Sequence, residues 1–383
     1  MAAPHAAFTE TDTPPPHRER AKQILARHPE VRGLFERDRW SALWTVLLVA
    51  LQVAIGIGLT LFKAPWWAIV ITAYAFGAFA NHALFVLIHD FTHNVVFRKA
   101  NANRLGSIFA NIAIVFPAAI GFRNHHLLHH KYLGIPGLDA DVPTRSETRW
   151  VRNSWWRKTI WLGMYWAVQA FMRPATVKAI RTVDGWAVFN AAAMVAAMAP
   201  IVWFFGWWPV AYLFLSTLFS LGVHPVGARW IQEHFVFREG QETYSYYGPL
   251  NKLSFNMGYH NEHHDFPQVP WSRLPAVRSA APEFYNHLYY HRSWTRLLFH
   301  VLFSRKFRLH NRIVRPNARM KGMVAPRGTS NFTHFCRCCA EGSLHEQVQS
   351  CDCQTRARRS LAEVLDRQRV RDCRGRPLRI GAH

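Results

Sequence analysis

Residues 41–62 form an unbroken apolar run without a charged side chain, and after Lys63-Ala64-Pro65 a second such run extends from Trp66 to about Ile88. Each approaches the roughly 20 residues that a helix needs to cross a bilayer, so the chain is restricted to folds that set such helices in hydrocarbon. Two further apolar segments, 186–205 and 209–223, are separated only by Gly206-Trp207-Trp208. The links are too short for domains, and the four segments are expected to form two helical hairpins. An intermediate apolar stretch, 105–122, contains Pro117 and is borderline for crossing.

Charge placement orients these segments. Arg and Lys crowd residues 18–39, 98–181 and 229–323, whereas the two hairpin tips carry only Lys63. The positive-inside rule then puts both termini, the middle loop and the C-terminal half in the cytoplasm. A full crossing by 105–122 would place one basic loop on the wrong side, so a peripheral or re-entrant segment is preferred. The excess of 46 Lys and Arg over 23 Asp and Glu would suggest nucleic acid in a soluble protein. Here the basic residues sit between apolar blocks, which fits cytoplasmic loops and anionic head groups, so nucleic acid is not an expected partner.

At the ends of the chain, residues 1–16 are small, polar and Pro-rich and are expected to be a disordered lead-in. Residues 17–39 alternate charges with Ile24, Leu25, Val31, Leu34 and Phe35, which predicts an amphipathic helix on the membrane surface. All six cysteines fall between Cys336 and Cys373, so the main body uses neither disulfides nor a cysteine nucleophile. Their CxCC and CxC spacings depart from the usual zinc-binding CxxC pair, and the Arg-rich residues 324–383 are expected to be a disordered appendage. The domain proper is thus expected to span 17–323.

The chemistry lies in three histidine clusters: His89-x₃-His93, at the end of the second apolar run, His126-x₂-His129-His130, and His260-x₂-His263-His264. Positions three or four apart share one face of a helix, so each cluster can aim its imidazoles at a common ion. Imidazole suits Zn, Cu, Fe and Ni alike, and ligand type alone does not choose among them. Eight histidines exceed the needs of a tetrahedral zinc and suit two metals with open positions. His234 is a candidate ninth ligand. His82, Asp90, His224, Glu262 and Asp265 are candidates for supporting the ligands rather than binding metal.

These boxes resemble the HxxxH, HxxHH and HxxHH motifs of the membrane fatty-acid desaturases. The stretches Gln241–Asn251 and Asn256–Pro267, together with His224-Pro225, Glu233-His234 and Ile24–Val31, resemble its sphingolipid Δ4-desaturase branch, over about residues 17–323. The resemblance implies an all-α integral membrane fold of four spans with a cytosolic helical cap. It implies two irons on His89, His93, His126, His129, His130, His260, His263 and His264, with His234 as the ninth ligand. It also implies O₂-dependent formation of a trans C4–C5 double bond in the sphinganine chain of dihydroceramide; some relatives hydroxylate C4. A C4-hydroxylase or an acyl-lipid desaturase would use the same chemistry, and a catalytically silent metal-binding scaffold is the alternative of another class. Electrons are expected from a separate donor such as cytochrome b5, because the His-Pro-Gly-Gly haem signature is absent. The expected compartment is the endoplasmic reticulum in a eukaryote or the cytoplasmic membrane in a bacterium. Leu127-Leu128 stands where animal relatives often carry a more polar pair.

Overall fold

The computed structural model describes residues 7–180 and 183–317. The Arg- and Cys-rich stretch 324–383 and residues 1–6 lie outside the described residues. The described chain is predominantly helical, with two short parallel pairings, Thr9–Glu10 with Ile313–Val314 and Ser245–Tyr246 with Tyr290–His291.

The helices that position the histidines are α1 (His17–Arg27), α2 (Trp40–Leu61), α3 (Trp66–Thr92), α4 (Ala100–Ile114) and α5 (Ala119–Lys131), followed by α6 (Gly185–Phe205), α7 (Trp208–Leu221), α8 (Arg229–His234) and α9 (His260–Asp265). Local sequence sets their ends. Pro65, whose fixed φ suits a helix start, precedes α3. Asp184 caps α6 by accepting from the Ala187 N–H, and Gly206 ends it at φ 75°, a conformation open to glycine.

Among the described residues three helices, α2, α3 and α6, are individually long and apolar enough to cross a membrane, or up to five if each of two bent pairs counts as one. The bent pairs are α4 with α5, whose axes differ by 117°, and α7 with Pro225–His234, which differ by 43°. The segment expected as the fourth span, 209–223, corresponds closely to α7, whose 14 residues extend about 21 Å at 1.5 Å per residue. It reaches further only through the bent arm beyond it. Residues 105–122 straddle the sharper bend, where Val115 takes φ 67° ahead of Pro117. Meanwhile α3 runs past the expected end at Ile88 to Thr92, because the polar His89 and Asp90 are buried in the site rather than presented to water.

The apolar core between α2, α3 and α7 is built from side chains such as Leu84, Leu87, Ile88, Tyr212 and Leu213. A polar network crosses it. Gln52 donates to Asn81 Oδ1 at 2.6 Å, and Tyr212 donates to Gln52 Oε1 at 2.6 Å. Asn81 Nδ2 in turn donates to Thr217 Oγ1 at 2.9 Å and to the Ala113 carbonyl at 3.1 Å. With no water in hydrocarbon to satisfy these groups, they bind the helices to one another. Close contact of α3 and α7 also depends on Gly77, where an added Cβ would lie 2.0 Å from Ser216 Oγ.

The N-terminus makes two sets of contacts that the sequence does not announce. In the stretch expected to be a disordered lead-in, Thr9 and Thr11 donate backbone N–H bonds to the Arg312 and Val314 carbonyls at 3.0 Å. The partner strand lies three hundred positions away, so no local pattern announces it. The helix expected on the membrane surface, α1, turns its buried face to α9, with Ile24 and the following Val31 packed among Phe266, Val277 and Tyr285. Its charged residues explain the choice, since Arg20 and His17 find a buried carboxylate there, Asp265.

Replacing Asn81 by Leu removes the better of the two acceptors of Gln52 Nε2, which keeps the Gly77 carbonyl at 3.2 Å, and takes the side-chain donor from the Ala113 carbonyl in the core. The variant is expected to lose about 1–3 kcal/mol of stability, read as a lowered unfolding midpoint in detergent.

Candidate metal centre

The three clusters and His234 come from four separate helices. His89 lies in the last turn of α3 and His93 caps that helix; His126, His129 and His130 lie on α5, His234 ends α8, and His260, His263 and His264 lie on α9. The α4–α5 reversal returns α5 to the end of α3, and the bend before α8 brings His234 to the same place.

All nine histidines converge. The ligand nitrogens of His89, His93, His126, His130 and His263 lie within 4.8 Å of one another, as do those of His129, His234 and His264 in a second group. In the first group the Nε2 atoms form a chain of close approaches: His93 to His126, His126 to His130 and His130 to His263 at 3.0 Å, then His263 to His89 at 2.9 Å. In the second, His234 Nε2 lies 3.0 Å from the Nε2 atoms of both His129 and His260. The groups adjoin, with the His130 and His264 rings stacked at a centroid separation of 4.3 Å.

These contacts are not a hydrogen-bond network. A neutral imidazole nitrogen either donates one proton or offers one lone pair in the ring plane. Yet His126, His130, His263 and His234 each point one Nε2 at two partners. His264 Nε2 is buried with no hydrogen-bond partner. Converging lone pairs of this kind require a cation. Two nitrogens at about 2.1 Å from an ion stand about 3.0 Å apart when they subtend a right angle, and further apart at the tetrahedral angle. Five donors with such spacings fit a centre of higher coordination than tetrahedral zinc.

The surroundings orient the ligands and keep most of them neutral; His129 is the exception, because burial disfavours its charge but Asp139 outweighs burial and pushes its imidazole up. Burial, reinforced by neighbouring histidines, pushes the His260, His263 and His264 imidazoles well below their ordinary range, which favours the form that binds metal. His129 Nδ1 lies 2.9 Å from Asp139 Oδ1, which fixes Nε2 toward His234. Asp139 is itself held by the Gly134 and Asp141 N–H groups, both at 2.8 Å. Burial opposes its ionisation, but His129 and Arg312 outweigh burial and its pKa is lowered. On the other side, Glu233 Oε1 lies 3.5 Å from His260 Nδ1 and accepts from Arg229.

The supporting residues expected from sequence divide into two sets. Asp90 Oδ1 lies 3.5 Å from His89 Nδ1 and its Oδ2 accepts from the Trp271 N–H at 3.0 Å. Glu262 accepts from Ser245 at 2.8 Å and from the Tyr247 hydroxyl, while burial pushes it up to about 7. Asp265 anchors α9 to α1 through His17 Nδ1 at 2.7 Å and Arg20 Nε at 2.6 Å. His82 and His224, by contrast, touch none of the nine. His82 packs 6.0 Å from the Trp294 ring, and His224 packs between Tyr74 and Phe79 and accepts from the Val226 N–H. Sequence reasoning missed Asp139, His17 and Arg20. Asp139 could have been suspected from its place in Gly137-Leu138-Asp139-Ala140-Asp141, a turn soon after the second box. Nothing local marks His17 and Arg20.

Removing the Asp139 carboxylate by Asp139→Asn frees the His129 ring to rotate. Metal affinity is expected to fall about 10–100-fold, measured by metal analysis after titration with a chelator, with the helical content unchanged.

The sequence comparisons agree with this geometry. Residues 64–296 match the fatty acid desaturase family, and residues 7–40 match a sphingolipid Delta4-desaturase family. A protein of Oryza sativa subsp. japonica named sphingolipid delta(4)-desaturase DES1-like is 42% identical over 288 residues, 75% of this chain and 86% of the relative. The human sphingolipid delta(4)-desaturase/C4-monooxygenase DES2 is 41% identical over 313 residues, 79% of this chain and 93% of the relative. Human sphingolipid delta(4)-desaturase DES1 is 38% identical over 289 residues, covering 75% and 88%. A histidine cluster fit for metal beside apolar spanning helices, and similarity over most of both chains, make this protein an oxidoreductase of the fatty acid desaturase family, grouped with the sphingolipid delta(4)-desaturases.

Proposed function

We propose that the protein is an O₂-dependent desaturase that forms the trans C4–C5 double bond of the sphinganine chain in dihydroceramide, with two irons held by the nine histidines. The observation that carries this reading is the meeting of the histidine cluster with an apolar cavity. The cavity measures about 530 Å³, and its wall includes His89, His126, His129 and His260 at one end and Phe171, Val188 and Ala191 toward α6 at the other. Such a space can hold an alkyl chain with one segment against the ligands and the rest directed to the spanning helices. The names of the relatives support the substrate and the position of reaction.

Side chains alone cannot remove hydrogen from an unactivated C–H bond; bound iron with O₂ supplies the required oxidant. The balance is dihydroceramide, O₂, two electrons and two protons giving ceramide and two waters. The protein's own part is placement. Phe116, Phe122 and Trp166 wall the cavity against water, and Asp139 and Glu233 hold His129 and His260 in fixed orientation.

The membrane arrangement we infer has four crossings, with α7 and its bent arm as the fourth and the α4–α5 reversal re-entrant, so that the histidines face the cytoplasm. A second cavity, about 600 Å³ and lined by Arg18, Lys22, His130, Lys131 and His264, lies beside the cluster. Its basic rim suits an acidic separate electron donor such as cytochrome b5. C4 hydroxylation is the second reading, favoured by the C4-monooxygenase activity in the name of the DES2 relative.

Expression in cells lacking endogenous Δ4 activity tests the proposal. Mass spectrometry is expected to show ceramide formed from dihydroceramide by the intact protein and none by His263→Ala at equal membrane abundance. A product hydroxylated at C4 alone, or unsaturated in the N-acyl chain, would overturn the Δ4 reading.

A further inference from the structure

The wall of the 530 Å³ cavity is mainly apolar, but beside the histidines it carries polar groups that the metal centre leaves unused. Arg229 is only 4% exposed. Its Nη1 donates to Glu233, while Nε and Nη2 are buried without a hydrogen-bond partner. The neighbouring Trp230 Nε1 is likewise unpartnered. Gln169 shows the complementary pattern. Its Nε2 donates to Tyr165 Oη at 2.6 Å and to Asp141 Oδ1 at 3.2 Å, and among the described residues nothing donates to its Oε1. The Tyr165 and Trp230 rings are 5.6 Å apart, which joins the two sets along one part of the wall.

Buried guanidinium and indole N–H groups without acceptors are costly, and native proteins rarely keep them unless something binds there. Here the offered chemistry is specific: donors on Arg229 and Trp230 for a carbonyl or hydroxyl oxygen, and an acceptor on Gln169 for a hydroxyl or amide N–H. The sphingoid base presents that combination next to the reacting carbon, since C4 is bonded to the carbon bearing the 3-hydroxyl and C2 bears the amide. A plain acyl chain presents nothing polar near a carbon deep in its length.

We propose that Arg229, Trp230 and Gln169 form a head-group subsite that binds the amide and 3-hydroxyl of the lipid and thereby fixes C4 against the histidine cluster. The proposal rests on the preceding assignment of a sphingoid substrate and adds the residues that select it. In this arrangement the position of the double bond is measured from the polar end, over a single bond, rather than from the far end of the chain. Arg229 also donates to Glu233, whose Oε1 lies 3.5 Å from His260 Nδ1, so it is both a lipid contact and a positioning residue. Gln169 reaches a ligand histidine only indirectly, through Asp141, whose backbone N–H holds Asp139 beside His129, and the iron content of each variant controls for that path.

The test uses the full chain, iron-loaded in nanodiscs, with short-acyl dihydroceramide and its 3-deoxy analogue. Equilibrium binding is measured without reductant, so that no turnover occurs, and kcat and KM are then measured with reductant. Wild type is expected to bind dihydroceramide about tenfold or more tightly than the analogue. Gln169→Leu, at wild-type iron content, is expected to reduce that preference to about threefold or less, chiefly through KM. Arg229→Lys, which keeps the charge beside Glu233, is expected to weaken binding of both lipids. Equal binding of the two lipids by wild type overturns the subsite and needs no variant. Full discrimination by an iron-replete Gln169→Leu protein overturns the role of that residue. If wild type discriminates in binding but forms no C4–C5 double bond, the subsite stands and the assigned reaction falls.

Discussion

Nine imidazoles packed at ligand-to-ligand distance are an arrangement that a folded chain cannot hold on dispersion forces alone. If protonated they repel one another, and if neutral they leave lone pairs aimed at each other in a buried site. Burial settles the first problem by favouring the neutral form. The second would be met by a bound cation, and the fold around the cluster delivers nitrogens from four helices to a small volume. Polar side chains of this number at the ends of membrane helices are costly unless they serve a site, which is why the neighbouring carboxylates are themselves fully engaged. Asp139 has its oxygens tied to His129 and to two backbone N–H groups, and Asp265 is shared by His17, Arg20 and Tyr285.

Convergence of that kind demands that the spanning helices hold a fixed rotation, because a turn of α3 about its axis would swing His89 and Asp90 out of the site. Apolar packing is poor at fixing rotation in a membrane, where the surrounding lipid is as apolar as the helix surface. The Gln52–Asn81–Tyr212 network supplies directional bonds instead. Asn81 lies on the same helix as His89, two turns earlier, so the asparagine that pins α3 to α7 and to the Ala113 carbonyl also sets the phase of the histidines. The clash that any side chain at Gly77 would make with Ser216 confines the same two helices to one separation.

The histidine boxes could be read directly because helical spacing is a local property. His126, His129 and His130 share a face whatever the rest of the chain does, and charge-free runs near 20 residues are equally local. What could not be read is everything set by distant partners. Thr9–Glu10 pairs with Ile313–Val314, and nothing in a polar, Pro-rich lead-in distinguishes a strand from a loose end when its partner is so remote. The amphipathic pattern of His17–Arg27 fits a membrane surface and a protein surface alike; only the buried Asp265 decides between them. His82, seven residues before His89, shares its helix face but lies about 10 Å further along the axis at 1.5 Å per residue, where it packs toward Trp294 instead of the cluster. His234 was legible as a candidate only beside Glu233, and its value appears when the bend after α7 places it between His129 and His260.

A cluster with an apolar cavity on one side and a basic cavity on another has two distinct routes of approach. The apolar route opens toward α6, whose outward face carries Val188, Val195 and Trp203, so a lipid can enter while its tail stays among hydrocarbon. The basic cavity is lined by His17 and Asp265, the pair that with Arg20 ties α1 to α9. Anchoring that helix on Asp265 therefore does more than close the fold. It holds Arg18 and Lys22, on the same two turns of α1, at the mouth of the second cavity beside His130 and His264. A chain that lost the α1 contact would keep its spans and its lipid cavity, because both are built from residues beyond position 40, yet its basic rim would no longer have a fixed place beside the cluster. The N-terminal helix is thus the element through which stability of the third histidine box and access to it from the polar side are coupled.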